Sequence, residues 1–296
     1  MNSMSQSISI IIPTYNRKAF LGKTIRSAMN QSRPPLEIIV VDDGSSDGTK
    51  TFILESFGDH VTYLSQENKE RGAARNYGAS VAKGEYIYFL DSDDVLYTDH
   101  LEKAAAFLKL HAKPAWFFQE YEIIDNQRHK QLVYNRENAL KSLLTEGNFL
   151  SCHGVFIRKD FFEQHRFNEN RVLAGSEDYE LWVRLAAVQP LLINHLVTSA
   201  LVQHDDRSVF NFKLDKLIER KELMLRLLLE NKQVKENFRS YFPQLKSHTF
   251  SYISLHAAMI GAKKSSITYW WKAIMASPVS FLKKRNFAIL KHLLLR

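Results

Sequence analysis

The sequence predicts an α/β fold built on a mostly parallel sheet, followed by a helical C-terminal region. In the first hundred residues, continuous apolar runs such as 8–12 and 37–41 alternate with amphipathic stretches. Strands that are apolar throughout are typical of a sheet covered by helices on both faces, with right-handed crossovers. From about residue 210 onward, the pattern predicts helices almost to the end of the chain.

The predicted elements follow in order. In the first half, strands are predicted at 8–12, 37–41, 61–64 and 86–90, and helices at 19–30, 52–57 and 72–81. In the second half, helices are predicted at 101–110, 138–144 and 177–188, and strands at 116–124, 131–134, 155–157 and, mixed with loop, 191–202. Leu21, Ile25 and Ala28 share one side of the first helix, which therefore packs on the sheet.

Charge is unevenly distributed along the 296 residues, whose net charge is +8. Residues 207–296 carry 18 Lys and Arg against 5 Asp and Glu, whereas residues 1–206 carry 22 against 27. This asymmetry indicates that the C-terminal region meets an anionic partner.

Composition and motifs narrow the class of protein. The single cysteine, Cys152, cannot form an internal disulfide, and the chain is 45% hydrophobic and 24% charged, as in ordinary globular proteins. The first residues lack a signal-peptide pattern, and no window approaches the ~18 apolar residues of a membrane span. We therefore expect a protein that is cytoplasmic, or that touches a membrane only from outside.

Several enzyme classes lack their sequence signals. No G-x-G-x-x-G follows the first strand, which argues against nicotinamide or flavin binding, and no G-x-x-x-x-G-K-[ST] indicates a P-loop. There is no Cys/His cluster for zinc and no G-x-S-x-G elbow. No known nucleic-acid-binding motif is present, so we expect no nucleic acid partner.

Polar motifs follow four predicted strands: PTYN at 13–16, DDGS at 42–45, ERGAARN at 70–76 and DSDD at 91–94. All four are expected at one edge of the sheet, and ligands bind at the carboxyl ends of parallel strands. Two carboxylates at positions i and i+2 can face one small site, and Mg²⁺ and Mn²⁺ prefer oxygen ligands. The alternative is that DSDD is a strand-ending turn that caps the next helix.

The same ambiguity holds for two other motifs. DDGSSDGT is compatible with a plain turn and helix cap, because Asp-Gly is a turn signal. Arg71 and Arg75 are either surface residues of a helix or contacts to a phosphate.

Taken in order, the segments IIIPTYNR, IIVVDDGSSDGT, ENKERGAARNYGA and GEYIYFLDSDDVL resemble the family 2 inverting glycosyltransferases with the GT-A fold. The resemblance covers the first hundred residues and resumes at GSEDYELWVRLA, 175–186. It implies a mixed, mostly parallel sheet in a catalytic domain at 1–206, with a Rossmann-like nucleotide-binding half at about 1–97 and an acceptor half at about 98–206. Residues 207–296 then form a basic, mostly helical C-terminal region.

The resemblance implies a nucleotide-diphosphate sugar donor, with a UDP-sugar as the first choice, and a single displacement that inverts the anomeric carbon. It places ten residues at the nucleotide: Pro13, Thr14, Tyr15, Asn16, Asp42, Asp43, Arg71, Arg75, Asp91 and Ser92. Among these, Asp43 is expected to accept the N3–H of the base, with Asp42 as second choice.

The resemblance also implies a divalent cation, Mn²⁺ or Mg²⁺, at the D-x-D element, which DSDD matches. Asp93 is expected to bind the metal directly, and Asp91 to contact the ribose or a metal-bound water. His204 is expected to complete the metal site, although Val202 stands where relatives often have an arginine. An exposed histidine without a metal role is the alternative.

Inverting transfer needs a base that takes the proton of the acceptor hydroxyl. The family places this carboxylate in an E-D pair at the start of a helix, which here is Glu177 and Asp178, and Asp178 matches the base. The alternative is good helix design, with Ser176 as a cap and acids that complement the helix dipole. The resemblance also brings the segment of Asn148 and His153 near the sugar.

The C-terminal sequence predicts an amphipathic helix from about Pro278. An apolar face is expected from Val279, Leu282, Ile289, Leu290 and Leu293, with Lys284 and Lys291 opposite. Together with Tyr269, Trp270 and Trp271, this suits a helix in the interface of an anionic membrane, on the inner face of the cell membrane. The alternatives are a cap on the catalytic domain or a dimer interface, and the oligomeric state stays open.

We therefore expect a metal-dependent glycosyltransferase that moves a hexosyl or N-acetylhexosaminyl group to a glycan or lipid-linked acceptor in cell-surface polysaccharide assembly. One rival is a sugar-activating nucleotidyltransferase, which would show a Gly-rich, Arg-containing loop after strand one, and PTYNRKAF lacks it. The other is a non-catalytic nucleotide-sugar-binding subunit, which would have lost the acids that this chain retains.

Overall fold

The computed structural model describes residues 6–125, 128–131, 139–204 and 213–295. These residues form two compact units. The first comprises 6–125, 128–131, 150–171 and 189–204, and the second comprises 139–149, 172–188 and 213–295. Two segments that precede residue 206 thus belong with the C-terminal helices, whereas the predicted division of the first 206 residues into nucleotide and acceptor halves stays a prediction.

The main sheet of the first unit has seven strands. They are β1 (Ile8–Thr14), β2 (Glu37–Asp42), β3 (Thr62–Ser65), β4 (Tyr86–Phe89), β6 (Trp116–Gln119), β9 (Val155–Arg158) and β10 (Leu192–Asn194). Their order across the sheet is β10-β6-β9-β4-β1-β2-β3. β1 is parallel to β2 and β4, whereas β9 is antiparallel to β4 and β6. The predicted fold class, a mixed and mostly parallel sheet, is confirmed.

A second, four-stranded sheet contains β5 (Val95–Leu96), β7 (Glu122–Asp125), β8 (Arg128–Gln131) and β11 (Ser199–Val202), in the order β5-β11-β7-β8. The single strand predicted over 116–124 is therefore wrong, because it is two strands in different sheets. The stretch 191–202 divides in the same way. Hydrophobic residues indicate that a segment is buried, but they do not indicate which strand the segment pairs with. Residues 132–134 of another predicted strand lie outside the described residues.

Five helices belong to the first unit: α1 (Lys18–Met29), α2 (Thr49–Phe57), α3 (Glu70–Val81), α4 (His100–Leu110) and α6 (Lys159–Gln164). Leu21, Ile25 and Ala28 of α1 are fully buried against the sheet core, as the apolar side of that helix predicts. The inner strands of this sheet bury both faces, whereas the edge strands β3 and β10 are partly exposed, and Ile10, Ile11 and Ile12 have no exposed surface. Helices therefore cover the sheet on both sides and leave its strand ends open to ligands.

Gly78 sets the close approach of α3 to the sheet. A Cβ at this position would lie 2.5 Å from Ile11 Cγ2 and 3.0 Å from Val41 Cγ2. Gly78→Ala gains about 1 kcal/mol of helix propensity but overpacks the core, which costs about 1–3 kcal/mol. We expect a net loss in the free energy of unfolding, measured by urea denaturation.

The matched control is Gly22→Ala in α1, which brings the same propensity gain. Its Cβ would meet the Phe52 ring at 3.0 Å, and that partly buried side chain can shift. Equal stabilities of the two variants would contradict the packing role of Gly78.

Helices dominate the second unit. They are α5 (Ala139–Glu146), α7 (Glu177–Ala186), α8 (Leu214–Glu230), α9 (Lys232–Phe238), α10 (Phe242–Met259), α11 (Lys263–Ala276) and α12 (Lys284–Leu295). The helical character predicted for the C-terminal region is thus confirmed. Among the helices described, none is both long and apolar enough to cross a membrane.

The continuous helix predicted from Pro278 is wrong. A 3-10 turn over Pro278–Leu282 precedes α12, and Lys283 between them is extended, with φ −74° and ψ 142°. The ammonium of Lys283 donates to Thr145 O at 2.8 Å, which holds the break. Val279 is 79% exposed whereas Ile289 is buried, so the predicted apolar side chains do not share one face.

Candidate active site

The parallel strands of the first unit end side by side. In the register of β1 with its neighbours, Thr14 pairs with Asp42 and Ile11 pairs with Phe89. The loops after β1, β2 and β4 therefore leave the sheet at one edge, where α/β folds bind ligands.

Asn16 joins the loop after β1 to the loop after β2. Its backbone is left-handed, with φ 50°, a conformation that Asn tolerates better than most residues. Its N–H donates to Ser45 Oγ at 2.8 Å, and its Oδ1 accepts from the N–H of Ser46 at 2.8 Å. Tyr15 beside it is 48% exposed. The PTYN segment is thus fixed by backbone contacts, while the Tyr15 ring is presented to solvent.

The two acids after β2 have different surroundings, although both are buried. Asp42 Oδ1 accepts from the Ser45 N–H at 2.8 Å, and its Oδ2 accepts from the Tyr63 hydroxyl at 2.8 Å. Asp43 Oδ1 accepts from Gln66 Nε2 at 2.7 Å and from the Lys69 N–H at 2.9 Å. Both oxygens of Asp42 are therefore engaged within the protein, which favours Asp43 for contact with a base.

Arg75 and Asp91 form a partly buried ion pair, with Arg75 Nη2 2.7 Å from Asp91 Oδ1 and side chains that are 2% and 25% exposed. The guanidinium also lies 5.3 Å from the centre of the Phe167 ring. Burial disfavours the charged form of Asp91, but Arg75 and Arg71 outweigh it and lower the pKa of that carboxyl to about 2. Asp91 is therefore ionised at neutral pH and held in one place, and Arg75 is no surface residue.

The DSDD loop is pinned from three sides. The Thr24 hydroxyl lies 3.0 Å from Ser92 O and 2.9 Å from Asp94 O. Asp94 is fully buried, and its Oδ1 accepts from the Val202 N–H at 3.0 Å while its Oδ2 lies 3.0 Å from His153 Nδ1. This geometry fits a supporting role for Asp94 and also places His153 in the core.

Asp93 and His204 meet at the tip of this loop. His204 Nε2 lies 3.0 Å from Asp93 Oδ2, and the imidazole stacks on Phe20 with ring centres 4.2 Å apart. Two ligands at right angles around a metal ion, each at about 2.1 Å, lie about 3.0 Å apart, so this pair fits a Mn²⁺ or Mg²⁺ site. Within the described residues no group of three or more His, Cys, Asp or Glu side chains could hold a metal ion. A cation here would therefore take its other ligands from water or phosphate.

In the second unit, Asp178 lies in the first turn of α7 and is partly buried. Its Oδ2 accepts from Asn148 Nδ2 at 2.9 Å, and its Oδ1 accepts from the Tyr179 N–H at 2.7 Å. The Tyr179 hydroxyl in turn donates to Leu143 O at 2.7 Å. Two neutral donors therefore orient the carboxylate, and the charge of Lys221 also acts on it.

Glu177 differs from its neighbour because it is 3% exposed and its Oε2 accepts from the Gly175 N–H at 2.5 Å. Gly175 has φ +87°, so Glu177 stabilises the turn before α7. The alternative in which the Ser176 side chain caps α7 is wrong: its hydroxyl donates to Gly175 O at 2.9 Å and accepts from Lys221 Nζ at 3.0 Å. Of the E-D pair, Glu177 is buried and supports the turn, whereas Asp178 is the more exposed carboxylate.

Several residues at these sites carry no sequence signal. Phe20, Thr24 and Gln66 contact site residues from helices or loops outside the motifs. Lys221 approaches the start of α7 from a distant part of the sequence. When a residue contacts a partner that is distant in the sequence, the spacing of neighbouring residues does not reveal the contact.

Comparison with known proteins identifies the class. The family model described as glycosyl transferase family 2 matches residues 9–166, more than half of the chain. The chain therefore belongs to glycosyl transferase family 2.

Two uncharacterised glycosyltransferases, from Rickettsia felis and Rickettsia typhi, are each 34% identical to the chain, over 214 and 231 residues. The alignments cover 69% and 74% of this chain, and 35% and 70% of those proteins. The chain thus spans about a third of the R. felis protein. A Campylobacter jejuni GalNAc(5)-diNAcBac-PP-undecaprenol beta-1,3-glucosyltransferase is 35% identical over 191 residues, covering 60% of this chain and 59% of that one.

Among solved structures, Staphylococcus aureus TarS in complex with UDP-GlcNAc aligns with a TM-score of 0.72 and 19% identity, over 97% of this chain and 88% of that one. The Pyrobaculum calidifontis mannosyltransferase PcManGT, in complex with GDP-Man and Mn²⁺, aligns with a TM-score of 0.58 and 17% identity, over 97% of this chain and 84% of that one. At these identities the likeness establishes the GT-A fold.

Proposed function

We propose that this chain is a metal-dependent inverting glycosyltransferase. It transfers a hexosyl or N-acetylhexosaminyl group from a UDP-sugar to a hydroxyl of a glycan or lipid-linked acceptor, in the assembly of a cell-surface polysaccharide. The observation that carries the proposal is the set of buried or pinned polar groups at one sheet edge: Asp43, the Arg75–Asp91 pair and the Asp93–His204 pair. Membership of family 2 and the UDP-GlcNAc complex of TarS support the choice of donor.

Donor binding is assigned to the loops after β1, β2 and β4. Asp43 accepts the N3–H of uracil, since Asp42 uses both carboxylate oxygens within the protein. Tyr15, which lies between Thr14 and Asn16 in the sequence, covers the nucleoside with its exposed ring. Asp91, held ionised by Arg75, accepts a hydrogen bond from the ribose or from a water on the cation. Arg71, whose charge lowers the pKa of Asp91, lies near the phosphates of the donor.

Asp93 and His204 are the residues that would hold the divalent cation, because they offer an oxygen and a nitrogen 3.0 Å apart. Bound there, Mn²⁺ or Mg²⁺ stabilises the negative charge of the diphosphate. The Mn²⁺ in the PcManGT complex supports this cation for the fold.

The transfer itself is a single displacement. The acceptor oxygen forms a bond to the anomeric carbon while the bond from that carbon to the phosphate oxygen breaks, and the bonding pair leaves with UDP. The proton of the acceptor hydroxyl passes to the Asp178 carboxylate, which Asn148 orients. Attack from the face opposite the leaving group inverts the anomeric carbon.

A decisive test of donor class is thermal stabilisation by UDP-sugars. With Mn²⁺ present, UDP-GlcNAc or UDP-glucose at 100 times Kd should stabilise the chain by about 2.7 kcal/mol, whereas GDP-mannose should not. Asp43→Asn should weaken UDP binding and reduce the preference over GDP, and Asp59→Asn, at an exposed acid of the same unit, should not. Absence of stabilisation by any UDP compound would overturn the proposal. Nucleotidyl transfer from UTP to a sugar phosphate would favour the nucleotidyltransferase instead.

We also propose that the second unit contacts an anionic membrane at the cytoplasmic face. Ile267, Trp271 and Met275 recur every four residues on α11 and are 45%, 55% and 76% exposed. Val279 and Leu282 of the following turn are 79% and 73% exposed. Exposed apolar side chains of this density beside lysines are typical of interfacial helices.

The double substitution Trp271→Ser with Met275→Ser should weaken binding to phosphatidylglycerol vesicles. Burying a large apolar side chain contributes about 1.5–3 kcal/mol. Two partly inserted side chains should therefore account for at least about tenfold in affinity for the vesicles. Vesicle flotation measures this. Leu110→Ser, at a 78% exposed leucine of the first unit, is the control and should bind as the unsubstituted chain does. Indifference of the unsubstituted chain to anionic vesicles would exclude the membrane contact.

A further inference from the structure

A cavity of about 210 Å³ lies within the second unit, beside the candidate base. Its lining includes Asn148, Lys221, His248, Thr249, Tyr252 and Arg285. Asn148 joins the cavity to Asp178, since its amide donates to Asp178 Oδ2 at 2.9 Å. A group bound in the cavity therefore lies close to the carboxylate that is proposed to deprotonate the acceptor.

The charge of this lining is positive. Lys221 Nζ lies 4.8 Å and the Arg285 guanidinium 5.7 Å from the centre of the Tyr252 ring, so one tyrosine brings both cations together. Burial and the neighbouring Arg220 lower the pKa of Lys221 to about 8. The acid in the lining, Glu146, is exposed. Asp178 and Glu177 act on Lys221 from outside the lining, but no buried acid lines the cavity beside the two cations, which favours an anionic ligand.

The lining also carries polar atoms without a hydrogen bond. Thr249 is 2% exposed, and in the described part of the chain its hydroxyl oxygen has no hydrogen-bond partner. The same holds for Nε2 of His248, whose ring packs against Gly147. An unsatisfied buried polar group destabilises the protein, and a ligand that pairs with it removes this penalty.

We propose that the cavity binds a phosphoryl group of the acceptor, next to the hydroxyl that is glycosylated. The ligand offers oxygens in several directions, which matches donors on three helices: Lys221 on α8, Thr249 on α10 and Arg285 on α12. A carboxylate can also accept several hydrogen bonds, but its two oxygens lie in one plane, whereas phosphoryl oxygens point in several directions. The inference rests on the proposed function, because it assigns the acceptor of the same reaction, and it makes that acceptor a phosphate-bearing glycan or lipid.

The test measures binding of small phosphate esters to the full chain by calorimetry, in parallel with UDP and Mn²⁺. Methyl diphosphate represents a lipid-linked diphosphate, dimethyl phosphate represents a phosphodiester within a polymer, and acetate represents a carboxylate. We expect one of the two phosphate probes to bind at least tenfold more tightly than acetate. Whichever binds more tightly supports the inference and identifies the source of the phosphate.

Three substitutions locate the site. Lys221→Met and Arg285→Met should each weaken phosphate binding by tenfold or more and leave UDP binding unchanged. Lys264→Met, which removes the same charge at an exposed position, should change neither. Thr249→Val removes the unpartnered hydroxyl, so it should weaken phosphate binding severalfold without lowering Tm, even if the two cationic variants fold poorly.

Phosphate binding that is unchanged in Lys221→Met and Thr249→Val, or acetate binding as tight as that of the phosphate probes, would overturn the inference. If the chain binds UDP but neither phosphate probe, only this inference is overturned, and the proposed function still stands. Phosphate binding without UDP binding would instead overturn the proposed function, and this acceptor assignment with it.

Discussion

Replacing Asp178 by Asn is expected to lower kcat by about 10²- to 10⁴-fold, the range in which a general base contributes. The asparagine side chain has nearly the same shape and can still accept from the Asn148 amide, but it cannot take up the proton of the acceptor hydroxyl. The residues proposed to bind the sugar donor belong to the first unit, so affinity for UDP-sugar should stay within about twofold. Steady-state turnover together with calorimetric donor binding separates the two effects.

Glu177→Gln and Asp215→Asn serve as the comparisons for this variant. Asp215 is an exposed acid in the first turn of α8, so its substitution should leave kcat unchanged. Glu177 accepts the Gly175 N–H, so Glu177→Gln should lower Tm more than it lowers kcat. Full turnover by Asp178→Asn, or a larger loss in Glu177→Gln at equal stability, would transfer the role of base away from Asp178.

The second large effect is expected at the proposed cation site. Asp93→Ala removes the carboxylate that lies 3.0 Å from His204, so the unit should lose tight Mn²⁺ binding and the part of UDP affinity that depends on it. A cation supplies several kcal/mol of charge stabilisation to a transferring phosphate, and 1.4 kcal/mol is about tenfold, so kcat/KM should fall by about 10²-fold or more. EDTA added to the unsubstituted chain should produce the same loss, and Mn²⁺ should reverse it.

Two further variants define this cation site. His204→Asn should reduce Mn²⁺ affinity and shift the Mn²⁺ concentration needed for half-maximal UDP binding, which a Mn²⁺ titration monitored by calorimetry measures without turnover. Asp59→Ala removes one exposed carboxylate from the same unit and should change none of these quantities. UDP binding that is indifferent to EDTA and unharmed in Asp93→Ala would sink the metal assignment.

The strands of the main sheet could be predicted because apolar runs and turn residues are local features of the sequence. Ile8–Thr14 and Glu37–Asp42 are apolar over nearly their whole length, and a turn signal ends each of them. Parallel pairing then forces the loops after them to one edge, so the grouping of PTYN, DDGS and DSDD followed from topology. The predictions failed where one predicted strand spans two sheets, as at 116–124, because the pattern of side chains does not say which partner strand each part pairs with.

Individual roles within each motif depended on partners far along the chain. Asp42 and Asp43 are adjacent and chemically identical, but Tyr63 occupies one of them and Gln66 the other. The sequence could not separate Glu177 from Asp178 either, since both suit the first turn of a helix. Only Asn148 and Gly175 distinguish the two carboxylates.

The sequence by itself determined that this protein is a family 2 glycosyltransferase with an α/β sheet, because ordered motifs and strand periodicity are properties of neighbouring residues. The tertiary structure decided what those residues can do. It buried Arg75 against Asp91, set His204 beside Asp93, and brought Lys221 and Arg285, 64 positions apart in the sequence, to one cavity. Charge, burial and hydrogen bonding act through space, and only packing brings such distant residues into contact.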